Sequence, residues 1–200
     1  MQHRRLCVSV WTLGVTGPRC AAALQRMIAK NRPEIVVSSG FSGALQAGLE
    51  LGTVVIGENF SDPQLVRRVK SVGDHLSGPI STVPEVLETS DAKMRHGLSS
   101  GALVGDLESL HLYEVCRQAG IPMLSVRTVS DTIEQDMPIP ADVLINPETG
   151  KTDPSAIFQY LFRHPTKAAE FAKLVRGARC AQQSLAAALE AILPAVLRQK

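Results

Sequence analysis

Aromatic side chains are scarce. Phe, Tyr and Trp make up 4% of the 200 residues, too few for the stacking platform that holds single-stranded nucleic acid. Neither charge is in excess: 21 Lys and Arg face 19 Asp and Glu, for a net charge of +2, so no basic field draws in a phosphate backbone. Apolar stretches are interrupted by charge or glycine short of the ~18–20 residues that a membrane span requires. The opening Met1-Gln-His-Arg-Arg5 leads into a weak apolar segment containing Trp11 and Thr12, without a signal-type cleavage site. A cytoplasmic protein with no nucleic acid partner and no membrane span is expected.

Cysteine is equally sparse. Cys7, Cys20, Cys116 and Cys180 are far apart, with no CxxC and no histidine at zinc-like spacing. Each stands among Val, Ala or Leu, which favours buried thiols. His3, His75, His96, His111 and His164 form neither HxH nor HExxH. No metal and no other cofactor is expected. Also missing are GxGxxG and the P-loop. Ser38-Ser-Gly-Phe-Ser-Gly43 looks superficially like a nucleophile elbow, but Phe41 occupies the central position.

What is present is an ordinary globular composition, 44% hydrophobic and 20% charged, and one domain over 1–200 is expected. Its parts read as a motif-bearing core over 6–135, a loop over 136–154 and closing helices over 155–200. Strands are expected at 7–13, 34–39, 53–56, 102–106 and 123–129. Helices are expected at 19–31, 84–96 (with Thr82 as a possible cap), 108–119, 155–163 and 165–197, and residues 57–80 look least regular. Nearly continuous apolar strands alternating with helices indicate α/β architecture: three layers, with a mostly parallel mixed sheet covered on both faces. Such sheets bind ligands at strand ends.

Two carboxylates stand at such ends. Asp106-Leu-Glu108 leaves one strand for a helix, and Val129-Ser-Asp131 ends the next. If those strands are parallel neighbours, ~4.8 Å apart, Glu108 and Asp131 face one small ligand. The plainer account makes Glu108 a helix-start acid and Asp131 the start of a turn. Gly14-Val-Thr-Gly-Pro18, a glycine turn before a helix, is a further place where backbone amides meet a ligand.

Together these segments resemble the purine nucleoside phosphorylase and nucleosidase superfamily. Val36-Val-Ser-Ser-Gly-Phe-Ser-Gly-Ala-Leu45 followed by Leu51-Gly-Thr-Val-Val-Ile56 is similar to its glycine-rich strand and loop. Gly105-Asp-Leu-Glu-Ser109 resembles its Met-Glu motif, and Val126-Arg-Thr-Val-Ser-Asp131 its Arg-x-x-Ser-Asp motif. Thr12 to Ala23 resembles its early glycine loop. Methylthioadenosine/adenosylhomocysteine nucleosidase-like members are similar, and so are hopanoid-associated phosphorylase-type (adenosylhopane) nucleosidases, the latter through Thr82 to Lys93 and Arg163-His-Pro165.

The resemblance implies cleavage of an N-glycosidic bond. Asp131 then hydrogen-bonds or protonates N7 of a purine, which calls for a carboxyl with locally raised proton affinity. Glu108 accepts from ribose hydroxyls, and Ser130 helps place Asp131. Leu107 substitutes for the methionine under the ribose, and Gly40, Phe41 and Gly14 border the substrate. Arg127 ties its strand to a neighbour, with direct contact to the ligand as the alternative. The resemblance implies that the family's first strand is missing from this sequence, which favours an impaired relative, while Ser38 stands where phosphorylases keep a phosphate-binding arginine, so water fits better than phosphate as the acceptor. Phosphorolysis, or an impaired relative that only binds nucleosides or oligomerises, are the alternatives. A homo-oligomer, a dimer first, is implied. The Ala and Leu spacing of the last helix fits packing on its own sheet, or else a dimer surface.

Overall fold

The computed structural model describes residues 7–14, 17–146 and 152–197. Ala, Leu and Met at helical spacing form α1 (Gly17–Lys30), and Pro33 follows its end. The apolar run after it opens β1 (Val36–Ala44), which continues through the glycines instead of turning at them. An elbow is thereby excluded, because an elbow nucleophile needs a sharp strand-to-helix turn. Next come β2 (Val54–Gly57), α2 (Pro63–Val69), β3 (Leu76–Gly78) and β4 (Ile80–Thr82). The chain then forms α3 (Ser90–Ser100), β5 (Val104–Asp106), α4 (Ser109–Ala119) and β6 (Met123–Asp131). It closes with a short α5 (Ala141–Leu144), α6 (Pro154–Arg163) and the long α7 (Ala168–Leu197).

The six strands lie in one mixed sheet in the order β3-β2-β6-β1-β5-β4. β1 runs parallel to β6, β2 to β3 and β4 to β5, while β1–β5 and β2–β6 are antiparallel. The two-residue period of a strand divides β6 between two cores. Met123 packs with Cys20, Leu24, Leu112 and Cys116 of α1 and α4. Leu124 and Val126 pack on the opposite face with Leu65 and Val69 of α2 and Ile192 and Val196 of α7. This is the expected three-layer α/β fold.

Several boundaries differ from the sequence reading. Residues 7–14 form no strand: Trp11 and Leu13 lean on the α1–α4 cluster, while Val8 and Val10 face solvent. The helix expected from Pro84 starts at Ser90, capped by the Thr89 hydroxyl, which accepts from Ala92 N. Thr82 instead ends β4. The stretch over 57–80 holds α2, whose cap is Asp62 followed by Pro63. Cys20 and Cys116 are buried as expected, but Cys7 and Cys180 are exposed. By length and composition alone, one helix among the described residues, running through Pro165–Leu197, could cross a membrane, contrary to the reading of its apolar runs. Its Gly177, Ala181, Ile192 and Val196 are buried, and it continues through Pro194.

α7 can cross the end of β6 closely only because residue 177 is glycine. A β-carbon there would overlap the Ser130 carbonyl oxygen, a backbone atom with no freedom to swing aside. Gly177→Ala should therefore destabilise the fold by about 1–3 kcal/mol, the usual cost of overpacking. At roughly 2–4 °C per kcal/mol for a chain of this size, thermal unfolding reads the change directly. An unchanged midpoint would mean that helix and strand separate freely.

Candidate active site

Glu108 and Asp131 line one cavity, though not by the route expected. β5 and β6 are neither neighbours nor parallel, because β1 lies between them and β5 runs against it. They share it because β5 pairs, of β1, with its last residues alone. Gly43 faces Gly105 on one side and Asp131 on the other, at a β-bulge that shifts the β1–β6 register between Ser42 and Gly43. Bulges often re-aim side chains beside functional sites. The absence of a side chain at Gly43 is also used: its β-carbon would stand 3.0 Å from Asp131 Oδ2.

One cavity at this point is lined by Phe41, Leu107, Glu108, Ser130 and Asp131. Five of the residues singled out from sequence thus share one space. Gly40 and Gly14 do not line it. Gly40 lies against the Arg127 guanidinium, 3.9 Å from where its β-carbon would be. Gly14 takes a positive φ of 78°, and its carbonyl accepts a bond from Cys20 Sγ. Val15 and Thr16 of that turn fall outside the described residues.

The carboxylate beside Glu108 has a structural task. Asp106 Oδ1 accepts from Thr82 Oγ1 at 2.8 Å, and Oδ2 accepts from Arg127 Nε at 2.7 Å. Both oxygens also accept from the amide of Ser109 at 3.2 Å. Asp106 therefore caps the start of α4, while the Glu108 side chain, at the N-cap position, makes no capping bond. Half-buried Glu108 opens instead on the cavity. Arg127 does tie its strand to a neighbour: its Nη1 donates to Ser38 O and its Nη2 to Ser38 Oγ, each at 3.1 Å. Ser38 is thus held by Arg127 from within the sheet.

Asp131 is held on both oxygens. Ser130 Oγ donates to Oδ1 at 2.8 Å, and Lys93 Nζ donates to Oδ2 at 2.5 Å. Lys93 is 2% exposed and lines the cavity. Nothing in the local sequence marks it, since a lysine on a helix normally belongs to the solvated face. An ammonium and a hydroxyl therefore both point at Asp131. Nearby Cys20 has its thiol pushed up to about 11 by burial, and next by the charge of Glu108. Cys116 is also raised to about 11 by burial, so neither buried thiol is poised as a nucleophile.

A sequence profile of the Phosphorylase superfamily matches residues 58–162. No curated protein sequence matches the chain. Among solved structures, the S-adenosylhomocysteine nucleosidase of Streptococcus pyogenes, in complex with 5-methylthiotubericidin, is 16% identical. The match covers 94% of this chain and 78% of that one, with a TM-score of 0.67. Futalosine hydrolase of Helicobacter pylori is 13% identical over 90% of this chain and 76% of its own, with a TM-score of 0.65. The 5′-methylthioadenosine/S-adenosylhomocysteine nucleosidase of Neisseria meningitidis, in complex with methylthio-immucillin-A, is 17% identical over 90% and 78%, with a TM-score of 0.62. At such identities the likeness is one of fold. The profile spans more than half of the sequence and takes in Glu108, Ser130 and Asp131: the chain belongs to the phosphorylase superfamily.

Proposed function

We propose that this protein is a nucleosidase, which cleaves the N-glycosidic bond of a purine-type nucleoside or nucleoside-bearing metabolite with water as the acceptor. The observation that carries this reading is that Glu108 and Asp131 open on one cavity from opposite sides of β1. The bond breaks as positive charge grows on the sugar and negative charge on the departing base. Glu108 accepts hydrogen bonds from the ribose hydroxyls, and these strengthen as the sugar becomes cationic. Leu107 lies under the sugar, and Phe41 borders the base. Asp131, steadied by Ser130, meets N7 and stabilises its protonated form. The nucleosidases and the hydrolase among the structural neighbours support the same chemistry. A cytoplasmic homo-oligomer, a dimer first, belongs to this reading.

Phosphate has no good seat. Ser38 stands in the place of a phosphate-binding arginine, and Arg127, which donates to it, is buried with its Nε on Asp106. A neutral hydroxyl does not replace a bidentate cation. Incubation with a panel of purine nucleosides should release free base and free sugar at a rate indifferent to added phosphate. Sugar 1-phosphate as the main product would overturn the choice of water. No base released from any nucleoside would overturn the reading as a whole.

A further inference from the structure

We propose that Lys93 is a positioning residue of this site, which sets the Asp131 carboxylate and the turn after it against the base. The inference rests on the nucleosidase reading and adds a residue to it. Lys93 lies in the first turns of α3, where it and Gly97 are the buried residues. Its Nζ donates to Asp131 Oδ2 at 2.5 Å, Gln135 O at 2.8 Å and Thr132 O at 3.0 Å. An ammonium has three protons to give, and these three acceptors take all of them. None is left for a ligand, so Lys93 acts through Asp131.

The same turn is fastened to α3 by other bonds. Ser90 N donates to Asp136 Oδ1 at 2.7 Å, and Met137 N donates to Glu88 O at 2.7 Å. Thr132 N donates to Gln135 Oε1 at 2.8 Å within the turn. Met137 lines the cavity beside Asp131 and Lys93. The start of α3 and residues 131–137 therefore form one docked unit, and its only buried cation points at the carboxylate. With Ser130 on Oδ1 and Lys93 on Oδ2, the Asp131 side chain is fixed in place, with a remaining lone pair on each oxygen turned to the base. The plainer alternative is that Lys93 only staples the turn to the helix.

A double-mutant cycle separates the two. Lys93→Met keeps the length of the side chain and removes the charge. It should lower kcat by about 10- to 100-fold with KM within about threefold, and weaken adenine binding, read by calorimetry, by about tenfold. In an Asp131→Asn background the same substitution should cost less than about twofold in either measurement. Equal losses in both backgrounds, or no loss in the first, would overturn the proposal. Should Lys93→Met not fold, the same cycle is run with Lys93→Arg. That variant keeps the charge but moves its donors, and should lose several-fold in the first background and nothing in the second. A wild type that binds adenine but releases no base overturns the nucleosidase reading alone, and the calorimetric cycle still decides Lys93. A wild type that binds no purine overturns both.

Discussion

Asp131→Asn should lower base release by about 10²- to 10⁴-fold, the usual worth of a positioned proton-transfer group, in a protein that still folds. The substitution is conservative in shape, and both neighbours of the side chain adapt to it. The Ser130 hydroxyl, which donates to Oδ1 at 2.8 Å, accepts equally well from an amide nitrogen. Lys93 keeps the carbonyls of Thr132 and Gln135 and gains the amide oxygen. Stability should fall by no more than about 1–3 kcal/mol, the range for one altered buried hydrogen bond. The chemistry has no such substitute, because an amide neither carries a proton to N7 nor offers a full negative charge to the protonated base. Single-turnover assays with thermal unfolding of the same samples separate the two effects. Turnover within a few-fold of wild type would remove Asp131 from the mechanism and leave it as the anchor of Lys93.

How far the residues alone lead can be followed along β5, α4 and β6. The acids at 108 and 131 stand out because each follows an apolar strand and precedes a helix or turn, and that pattern depends only on local chemistry. A parallel crossover would bring them to one edge directly, whereas the strand between them, β1, comes from far earlier in the chain. Pairing partners and direction are long-range properties, which a local period does not encode. The segment over 7–13 shows the same limit: its Val, Trp and Leu suit a strand, yet both sheet edges are taken by β3 and β4, and it lies against α1 and α4 instead. The start of α3 is hidden for another reason. Thr82 and Thr89 both precede plausible helical runs, and only Thr89 is free to cap, since Thr82 is held by Asp106 and by the amide of Leu110. Lys93 is not legible locally, because its burial depends on carbonyls about forty residues further along. By contrast, Asp62 before Pro63 was a readable helix start within a stretch taken as irregular.

Asp106→Ala should cost more stability than any other single change at the site, about 3–5 kcal/mol, because it leaves a buried cation without its partner. Asp106 and Arg127 have side chains 1% and 3% exposed and meet at 2.7 Å. Without the carboxylate the guanidinium keeps its bonds to Ser38 and Val126 O but loses its counter-charge. Thr82 Oγ1 and the Ser109 amide lose their acceptor as well. Against a total stability of ~5–15 kcal/mol, that is a large fraction. The damage also reaches the cavity, since Asp106 joins β4, β5, β6 and the start of α4, from which Glu108 is presented. The loss should not add to that of Arg127→Met. Replacing Asp106 by Asn and Arg127 by Met together removes both charges while leaving an acceptor for Ser109 and Thr82. This double variant should be more stable than Arg127→Met alone, where the buried carboxylate has no cation. Urea unfolding of the single and double variants, read with one slope, tests the order. Additive losses, or less than about 1 kcal/mol for Asp106→Ala, would mean that the ion pair is incidental and that the packing of β5 on β1 alone holds Glu108 over the cavity.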